Sequence, residues 1–429
     1  MSIVLKNATY IDWETLEFSR KNILVKPDIS DILFIEDDDH VSKKAGTIVV
    51  DCTGKLVTKS FAVGHHHAYS ALSRGMGAPK KNPQNFYEIL RYVWWTLDKC
   101  LDHEIIESSA LVTAMACARA GSTFVIDHHA SPFAVKGSLE IIAKAFEKVG
   151  VSHLLCYEIS DRDGMKIPRE GLDETEAYLK NHQGLVGLHA SFTVSNDTLS
   201  KAVDLMNRAG SGIHIHVAED IHDQNECIKD HGRRVVERLN EAGALHSSQT
   251  ILVHCLHLEE SERDIIRNSP CWVVQNCESN LNNNVGYFNG AYLGDNIMLG
   301  TDGMHSDMLQ SARAAFFAGR RHDNINYDTA YRRFRNVHRY ISDNNFAGDG
   351  ENNLVVLDYE PPTPINRDNF FGHFLFGITS NHVRDVISGG RLIVRDRKII
   401  TVDESEILKK SREDALRLWE NMSKADFNK

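Results

Sequence analysis

The sequence predicts an α/β fold, a (β/α)8 TIM-like barrel with a small β-sandwich domain built from both ends of the chain. Two observations predict it. Residues 58–353 alternate eight apolar strand-like runs with helical patterns, whereas residues 1–57 and 354–429 carry short β-like runs. Eight strands that alternate with helices are typical of a barrel, and separate β-rich ends indicate a second module.

The first 57 residues are interpreted as the N-terminal part of the β-sandwich. They contain the short β-like runs IVLKNATYI, NILVK, DILFI, TIVVDCTG and KLVT. Turn-forming residues separate these runs, and no long helical period interrupts them. A small β-module therefore precedes the barrel.

The barrel prediction depends on eight apolar runs of strand length. They are SFAVGH (60–65), STFVIDH (122–128), VSHLLCY (151–157), GLVGLH (184–189), SGIHIHV (211–217), QTILVHC (249–255), CWVVQ (271–275) and NIMLGTD (296–302). Helical patterns such as GSLEIIAKAFEKVG and TLSKAVDLMNRAG lie between them, and each closes on glycine. Glycine just past a helix is a common stop signal, so the helices are expected to end there.

Short β-like runs occur again from about residue 354, in NLVVLDY and then in VRDVISGGRLIVRDRKIITVD. We expect residues 354–429 to complete the β-sandwich and to end in a closing helix, SEILKKSREDALRLWENMSKA. The polar, turn-rich segment 342–353 is the predicted linker between barrel and sandwich.

Composition narrows the class of protein. The chain has 429 residues and a net charge of −11, with 42% hydrophobic and 25% charged residues. This acidic balance argues against a nucleic-acid surface. No apolar stretch approaches the roughly 20 residues of a membrane span, and no secretory signal opens the chain. The eight cysteines form no CxxC pair, so a cytoplasmic protein with reduced thiols is expected.

Ligand-type residues recur in order near the ends of the apolar runs. They are His65 and His67 in GHHHAYS, His216 in HIHVAED, His254 in LVHCLHL and Asp302 in LGTDG. Alternate strand residues point to the same face, so His65 and His67 are expected to aim together while His66 aims away. An HxH pair alone is weak evidence, but the ordered set suits a zinc-type cation with open positions for water or substrate.

These motifs resemble those of the amidohydrolase superfamily, in the branch of aminohydrolases and chlorohydrolases that act on N-heterocycles. The matching features are HxH at His65–His67, HVAE with His216 and Glu219, His254 on the sixth strand, LGTDG with Asp302, and His189 in GLHAS. Two departures stand out: Lys59-Ser60 replaces the usual proline-glycine, and Gln275-Asn276-Cys277 replaces the usual HNP. The second departure lies near the expected substrate pocket and does not involve the expected metal ligands.

The resemblance implies one divalent transition metal held by His65, His67, His216 and Asp302. Zn²⁺ is preferred, with Fe²⁺ or Mn²⁺ as alternatives. The fourth strand, LVGLHAS, lacks the lysine that bridges two metals in some relatives, which favours a single ion.

The resemblance also implies roles for the neighbouring residues. Asp302 would accept the proton of the attacking water, and Glu219 would act as general acid. His254 would polarise an oxygen or orient the water. His189, Gln275 and His305 are the expected substrate contacts.

The predicted function is hydrolytic deamination of a purine-like or related N-heterocycle by a metal-activated water. Hydrolysis of another C–N or a C–Cl bond on the same site is the alternative, and a non-catalytic binding protein is a third, less favoured reading. The expected partner is a small-molecule substrate, without nucleic acid or membrane, and the resemblance implies a homo-oligomer.

Several other residues are given structural or supporting roles. His214 shares a face with His216 but lies deeper, so we interpret it as barrel core. His128 and His129 end the second strand, where either could orient a metal ligand. Trp94 and Trp95 could cover a flat ring, although aromatic residues at helical spacing more often belong to the core.

Overall fold

The computed structural model describes residues 1–36 and 44–425. The strands in these ranges are β1 (Ile3–Ile11), β2 (Phe18–Val25), β3 (Ile32–Ile35), β4 (Ile48–Asp51), β5 (Leu56–Lys59), β6 (Phe61–His66), β7 (Ser122–His129), β8 (Ser152–Tyr157), β9 (Val186–Ala190), β10 (Ile213–Val217), β11 (Ile251–His254), β12 (Trp272–Gln275), β13 (Ile297–Leu299), β14 (Leu354–Leu357), β15 (Val383–Ser388), β16 (Arg391–Arg395) and β17 (Lys398–Ile399).

The α-helices are α1 (Phe86–Ile89), α2 (Trp95–Lys99), α3 (His103–Arg119), α4 (Ser138–Val149), α5 (Lys166–Leu179), α6 (Asn196–Ala209), α7 (Ile221–His231), α8 (Val235–Glu241), α9 (Glu260–Arg267), α10 (Cys277–Asn283), α11 (Met308–His322), α12 (Tyr327–Asp343), α13 (Phe370–Phe376) and α14 (Glu404–Lys424). A π-helical turn, Leu90–Trp94, joins α1 to α2. In the described ranges, no helix combines the length and the apolar character needed to cross a membrane.

The eight predicted strand runs form β6 to β13, and helices alternate with them. Hydrogen bonding divides these parallel strands into two sheets, β6-β7-β8 and β13-β12-β11-β10-β9. Isolated parallel bridges connect the sheets at both edges: Leu155 to Gly184 and Ile159 to Leu188 at one, and His66 to Asp302 at the other. The alternation of strands and helices is therefore confirmed, but a continuous barrel sheet is not observed.

Glycine permits close backbone approach at both junctions between the two sheets. A Cβ on Gly64 of β6 would lie 2.6 Å from the carbonyl oxygen of Leu299 on β13. A Cβ on Gly187 of β9 would lie 2.3 Å from the carbonyl oxygen of Tyr157 on β8. Any larger residue at these positions would push the neighbouring strands apart.

The two ends of the chain meet in one nine-stranded sheet with the order β17-β16-β15-β14-β5-β1-β2-β3, and β4 pairs in parallel with β1. The junction between the ends is the antiparallel pair of β5 and β14, in which Lys59 lies opposite Leu354. The strands are connected in one sheet, so the predicted two-sheet sandwich is not confirmed.

Local signals set the helix ends as predicted. Helix α6 begins after Ser195, whose side chain accepts a hydrogen bond from the backbone N–H of Thr198, and it ends at Gly210 in the left-handed conformation. Helix α4 likewise ends at left-handed Gly150. A hydroxyl N-cap and a left-handed glycine satisfy backbone groups that the helix ends would otherwise leave unpaired.

The predicted linker is tied to the start of the barrel by the buried lysine that replaces the usual proline. Lys59 Nζ lies 3.4 Å from Asp349 Oδ1 and 3.3 Å from Glu351 Oε1, and it donates to two backbone carbonyl oxygens. His338 Nδ1 lies 2.7 Å from the second oxygen of Asp349. Burial raises the pKa of Asp349, but His338 and Lys59 lower it by more than burial raises it, so the net pKa lies below its usual value.

We expect Lys59→Met to lower the free energy of unfolding by about 3 kcal/mol at pH 7, because it leaves a buried carboxylate short of a partner. The lowered pKa of Asp349 means that this stabilisation is present at neutral pH and is lost as the pH falls through the folded-state pKa. Urea unfolding measures the change. Lys55→Met is the matched control, since the Lys55–Asp358 pair is partly exposed and should contribute less than about 1 kcal/mol. Equal losses in both variants would contradict the prediction.

Candidate metal centre and active site

The predicted ligand residues converge at the carboxyl ends of the parallel strands. His67 Nε2 lies 3.2 Å from His216 Nε2 and 3.4 Å from Asp302 Oδ1. His65 Nε2 lies 3.9 Å from the same carboxylate oxygen. His254 completes a further group in which its ligand nitrogen lies within 4.8 Å of those of His65 and His216. All five side chains are buried.

Left-handed backbone positions the last two of these residues. His254 has φ 72° and Asp302 has φ 52°, and each stands at or just past a strand end. Such a conformation costs about 1–3 kcal/mol for a residue other than glycine and is typical of functional sites. Here it turns a histidine and an aspartate toward the same point.

The chemistry of the donor set fits a divalent cation. His65 Nε2 is buried without a hydrogen-bond partner. Burial and the neighbouring histidines hold the pKa of His65 and His216 well below the usual value, so both imidazoles are neutral and offer lone pairs. Burial raises the pKa of Asp302, but His67 and His254 outweigh it and keep this carboxylate ionised. Neutral imidazoles with one carboxylate form a ligand set that zinc-type ions prefer.

The second ring nitrogen of each histidine ligand is also engaged. His67 Nδ1 donates to the backbone oxygen of His128 at 2.6 Å, and His216 Nδ1 donates to that of His189 at 3.0 Å. These bonds leave Nε2 of each ring directed at the metal position. The predicted orienting role at His128 thus belongs to its backbone oxygen, whereas the His129 ring contacts Ser131 instead.

His214 is more than the barrel-core residue predicted from the sequence. Its Nε2 lies 2.9 Å from His65 Nδ1, and its Nδ1 lies 3.5 Å from the thiol of Cys156. Both nitrogens of His65 are therefore assigned, with Nδ1–H donating to His214 and Nε2 free for the metal. By contrast, His66 bonds to Thr301 Oγ1 and stays outside the ligand set, as predicted.

We expect His214→Phe to weaken metal affinity by about 10- to 100-fold, because loss of an orienting partner has that typical cost. Competition with a chromogenic chelator measures the affinity. His214→Gln keeps an acceptor oxygen and should recover most of the loss. If His214→Phe binds metal as tightly as the wild type, the His65–His214 contact has no orienting role.

Glu219 and His254 lie beside the ligand set. Glu219 Oε2 is 3.3 Å from His254 Nε2, and Asp302 Oδ2 is 3.6 Å from the same nitrogen. Burial and then Asp302 raise the pKa of Glu219 well above its usual value, which favours the protonated form of this carboxyl group. Burial lowers the pKa of His254 to about 4. Asn280 Nδ2 donates to His254 Nδ1 at 2.7 Å, which leaves Nε2 to carry the hydrogen of the neutral ring.

A cavity opens above this group, and the π-helical turn and its flanking helices form one wall. Its apolar lining is made by Tyr69, Phe86, Leu90, Trp94, Trp95 and Met304. Its polar lining includes Glu158, Arg162, His189, Glu219, Ser279, Asn282 and Asn283. Trp94 and Trp95 thus cover the cavity, which agrees with the less favoured of their two sequence interpretations.

The three predicted substrate contacts have different positions. His189 lines the cavity, and its Nδ1 is 2.6 Å from Thr193 Oγ1. Gln275 lies outside the cavity lining, because its Oε1 accepts a hydrogen bond from Arg333 of α12 at 2.9 Å. His305 also lies outside the lining and bonds to Glu278 at 2.7 Å. The substrate contacts expected of Gln275 and His305 stay predictions, and in this structure the two side chains are bonded to Arg333 and Glu278.

The sequence interpretation did not identify Glu158 and Arg162, although both line the cavity. Glu158 directly follows β8, and a polar residue at a strand end was a signal that could have marked it. Arg162 follows four residues later in a loop, and its position has no comparable signal. Asn280, which contacts His254, lies three residues after Cys277, but nothing in the sequence connects Asn280 with His254.

Comparison with known proteins agrees with this arrangement. The model of the amidohydrolase family matches residues 61–333. The chain belongs to the amidohydrolase family. It is 27% identical to a 5'-deoxyadenosine deaminase from Methanopyrus kandleri, over 82% of this chain and 84% of the relative.

Two solved structures of amidohydrolases share the fold. One is an adenosine deaminase from Xanthomonas campestris with bound zinc, with TM-score 0.80, 17% identity and coverage of 97% of this chain and 98% of that one. The other is the atrazine chlorohydrolase TrzN from Arthrobacter aurescens complexed with zinc, with TM-score 0.79, 14% identity and coverage of 96% and 100%.

Proposed function

We propose that this amidohydrolase is a metal-dependent aminohydrolase that removes an amine from a purine-like N-heterocycle. The observation that carries the proposal is the juxtaposition of a cation ligand set with a neighbouring carboxyl group whose pKa is raised. His65, His67, His216 and Asp302 supply the ligands, and Glu219 supplies the proton donor. The name of the deaminase relative supports a purine-like ring.

One metal ion, zinc by preference, would be held by these four residues. Such an ion lowers the pKa of a bound water from about 16 to about 7, which makes a hydroxide nucleophile available at neutral pH. The three imidazoles remain neutral, so Asp302 is the member of the set that can accept the proton of the water.

Glu219 and His254 handle the substrate side of the reaction. Glu219 would donate its proton to the ring nitrogen next to the attacked carbon. The proton that Asp302 accepts from the water would then pass to the departing amine, which leaves as ammonia, while the hydroxyl proton of the intermediate returns to Glu219. His254 directs its Nε2–H toward the oxygen that becomes negative at the attacked carbon. Amine loss requires a proton on the departing nitrogen, whereas chloride leaves without one, so two carboxyl groups that can relay protons favour deamination over dechlorination.

The proposed site extends to the fold around it. We propose that the two parallel sheets act together as one (β/α)8 barrel over residues 58–353, with the site at the carboxyl ends of its strands. The bridges at both sheet junctions support this arrangement, as do the glycines that permit close approach there.

An ammonia-release screen tests the proposed function. The metal-loaded protein is incubated with adenine, adenosine, 5'-deoxyadenosine, guanine and cytosine, and chloride release from atrazine is followed in parallel. Ammonia from at least one ring is the expected result. Chloride release without any ammonia would favour the dechlorinating alternative, and a protein that binds no zinc, iron or manganese would be a non-catalytic binding protein.

A further inference from the structure

A buried carboxyl group that is not one of the four proposed metal ligands faces the cavity on the side of His189. Glu158 follows β8, and its side chain is 3% exposed. One of its oxygens lies within 4.8 Å of ring nitrogens of both His189 and His216. His216 is a proposed metal ligand, so Glu158 lies close to the metal position. A substrate whose reacting carbon is at the metal would meet Glu158 with its heterocyclic ring and not with a sugar attached to that ring.

The two oxygens of Glu158 have different surroundings. Oε1 accepts a hydrogen bond from Arg162 Nη1 at 2.9 Å. Oε2 lies 3.5 Å from His128 Nδ1, which is too long for a good hydrogen bond. Neither ring nitrogen of His128 has a hydrogen-bond partner within the described chain. Oε2 therefore keeps acceptor capacity at the cavity wall.

The arginine beside Glu158 cannot serve as an anion receptor, because carboxylates already occupy it. Its Nη2 contacts Asp98, its Nε lies 3.0 Å from Asp163, and its guanidinium lies 5.1 Å from the centre of the Trp95 ring. Lys99 also contacts Asp163, at 3.0 Å. Arg162 thus contacts three carboxyl groups, those of Asp98, Glu158 and Asp163, so its guanidinium is already paired.

We propose that Glu158 Oε2 accepts a hydrogen bond from a ring N–H of the substrate, and so selects uncharged heterocycles with a free ring N–H. This inference rests on the proposed function and names the substrate class of the same site. The short span from the metal ligands to Glu158 favours a donor on the ring itself. Because Arg162 is already paired with three carboxyl groups, an anionic group of a substrate would have to displace one of them to bind it.

The physical basis of selection is the cost of leaving a buried carboxyl group unpaired. Burial raises the pKa of Glu158 to about 7 although Arg162 lowers it, so a donor on the substrate that pairs with Oε2 favours the ionised form. A substrate with a ring N–H supplies the missing donor. An N-methylated ring removes that donor and places a methyl group against the oxygen, so the carboxylate loses water without gaining a partner. Sites that hydrogen-bond a substrate group reject analogues that lack it far more strongly than apolar pockets reject a missing methylene.

The test compares kcat/KM for adenine with 9-methyladenine and for cytosine with 1-methylcytosine, because methylation removes the ring N–H and keeps the leaving amine. Wild-type protein should prefer the unmethylated member of a pair by about 100-fold or more. Glu158→Gln should reduce that preference by about 10- to 100-fold, mainly through KM, because a hydrogen bond to a charged acceptor is replaced by a neutral one. Its metal content should stay unchanged.

Asp163→Asn is the matched control. Asp163 binds the same arginine but is absent from the cavity lining, so this variant should keep the wild-type preference. The role of Glu158 is overturned if the wild type accepts methylated and unmethylated rings equally, or if both variants change the preference to the same extent.

The experiment separates this inference from the proposed function. Ammonia release from adenosine without any from adenine or cytosine would support an aminohydrolase and overturn the role of Glu158. No ammonia from any of these compounds would overturn both. If Glu158→Gln fails to fold, the wild-type preference within each pair decides the inference.

Discussion

Replacing Glu219 with glutamine should lower kcat by about 10²–10⁴-fold and leave the metal in place, because glutamine keeps the shape of the side chain and cannot donate the acid proton. The structure motivates this expectation in two ways. Glu219 lies 3.3 Å from His254 without being one of the four proposed metal ligands. Burial and then Asp302 raise its pKa, which favours the protonated carboxyl group that a general acid needs.

Three measurements check this result: the rate of ammonia release, metal content by elemental analysis, and the substrate dissociation constant. Asp220→Asn is the control, because Asp220 is the adjacent carboxylate and caps α7 by accepting from the His222 backbone N–H. Asparagine caps a helix about as well as aspartate, so this variant should remain active. Turnover by Glu219→Gln within a few-fold of the wild type would reject the acid role.

His216→Ala should strip most of the metal from the protein and lower activity by about 10³-fold or more, since several kcal/mol of transition-state stabilisation depend on the ion. His216 is central to the group, because its Nε2 lies 3.2 Å from His67 Nε2 and its Nδ1 is held by the His189 backbone oxygen. Its removal opens one ligand position and leaves the strand pairing of β10 unchanged.

Metal content and circular dichroism measure the two parts of this prediction. His246→Ala controls for the loss of a histidine, because His246 lies exposed on the surface. This control should retain full metal and activity. A His216→Ala protein with full metal content would exclude His216 from the ligand set, and an unfolded one would assign it to stability instead.

The candidate metal site could be predicted from the sequence because its residues all stand at or just after the ends of predicted strands. Parallel strands of an α/β fold present their carboxyl ends at one face, so ligand-type residues at successive strand ends were expected to meet there. His65, His67, His216, His254 and Asp302 do meet. The alternation of strands and helices could be predicted for a similar reason, since strand and helix periodicity and glycine stop signals can be recognised within short stretches of sequence.

Contacts between segments that are distant in sequence could not be predicted in this way. Gln275 ends a predicted strand, yet only the position of α12 shows that its side chain accepts a hydrogen bond from Arg333. His214 has the parity of a core residue, and only the approach of β6 makes it the partner of His65. The nine-stranded sheet depends likewise on the pairing of β5 with β14, nearly 300 residues apart in sequence.

The sequence by itself thus predicted the candidate ligand residues, the order of the strands and the contribution of both chain ends to one sheet. The tertiary structure alone decided which side chains share the cavity, and above all the cluster of Glu158, Arg162 and Asp98. The physical reason is that periodicity reports which face of an element a residue occupies. What lies opposite that face depends on how elements distant in sequence pack together.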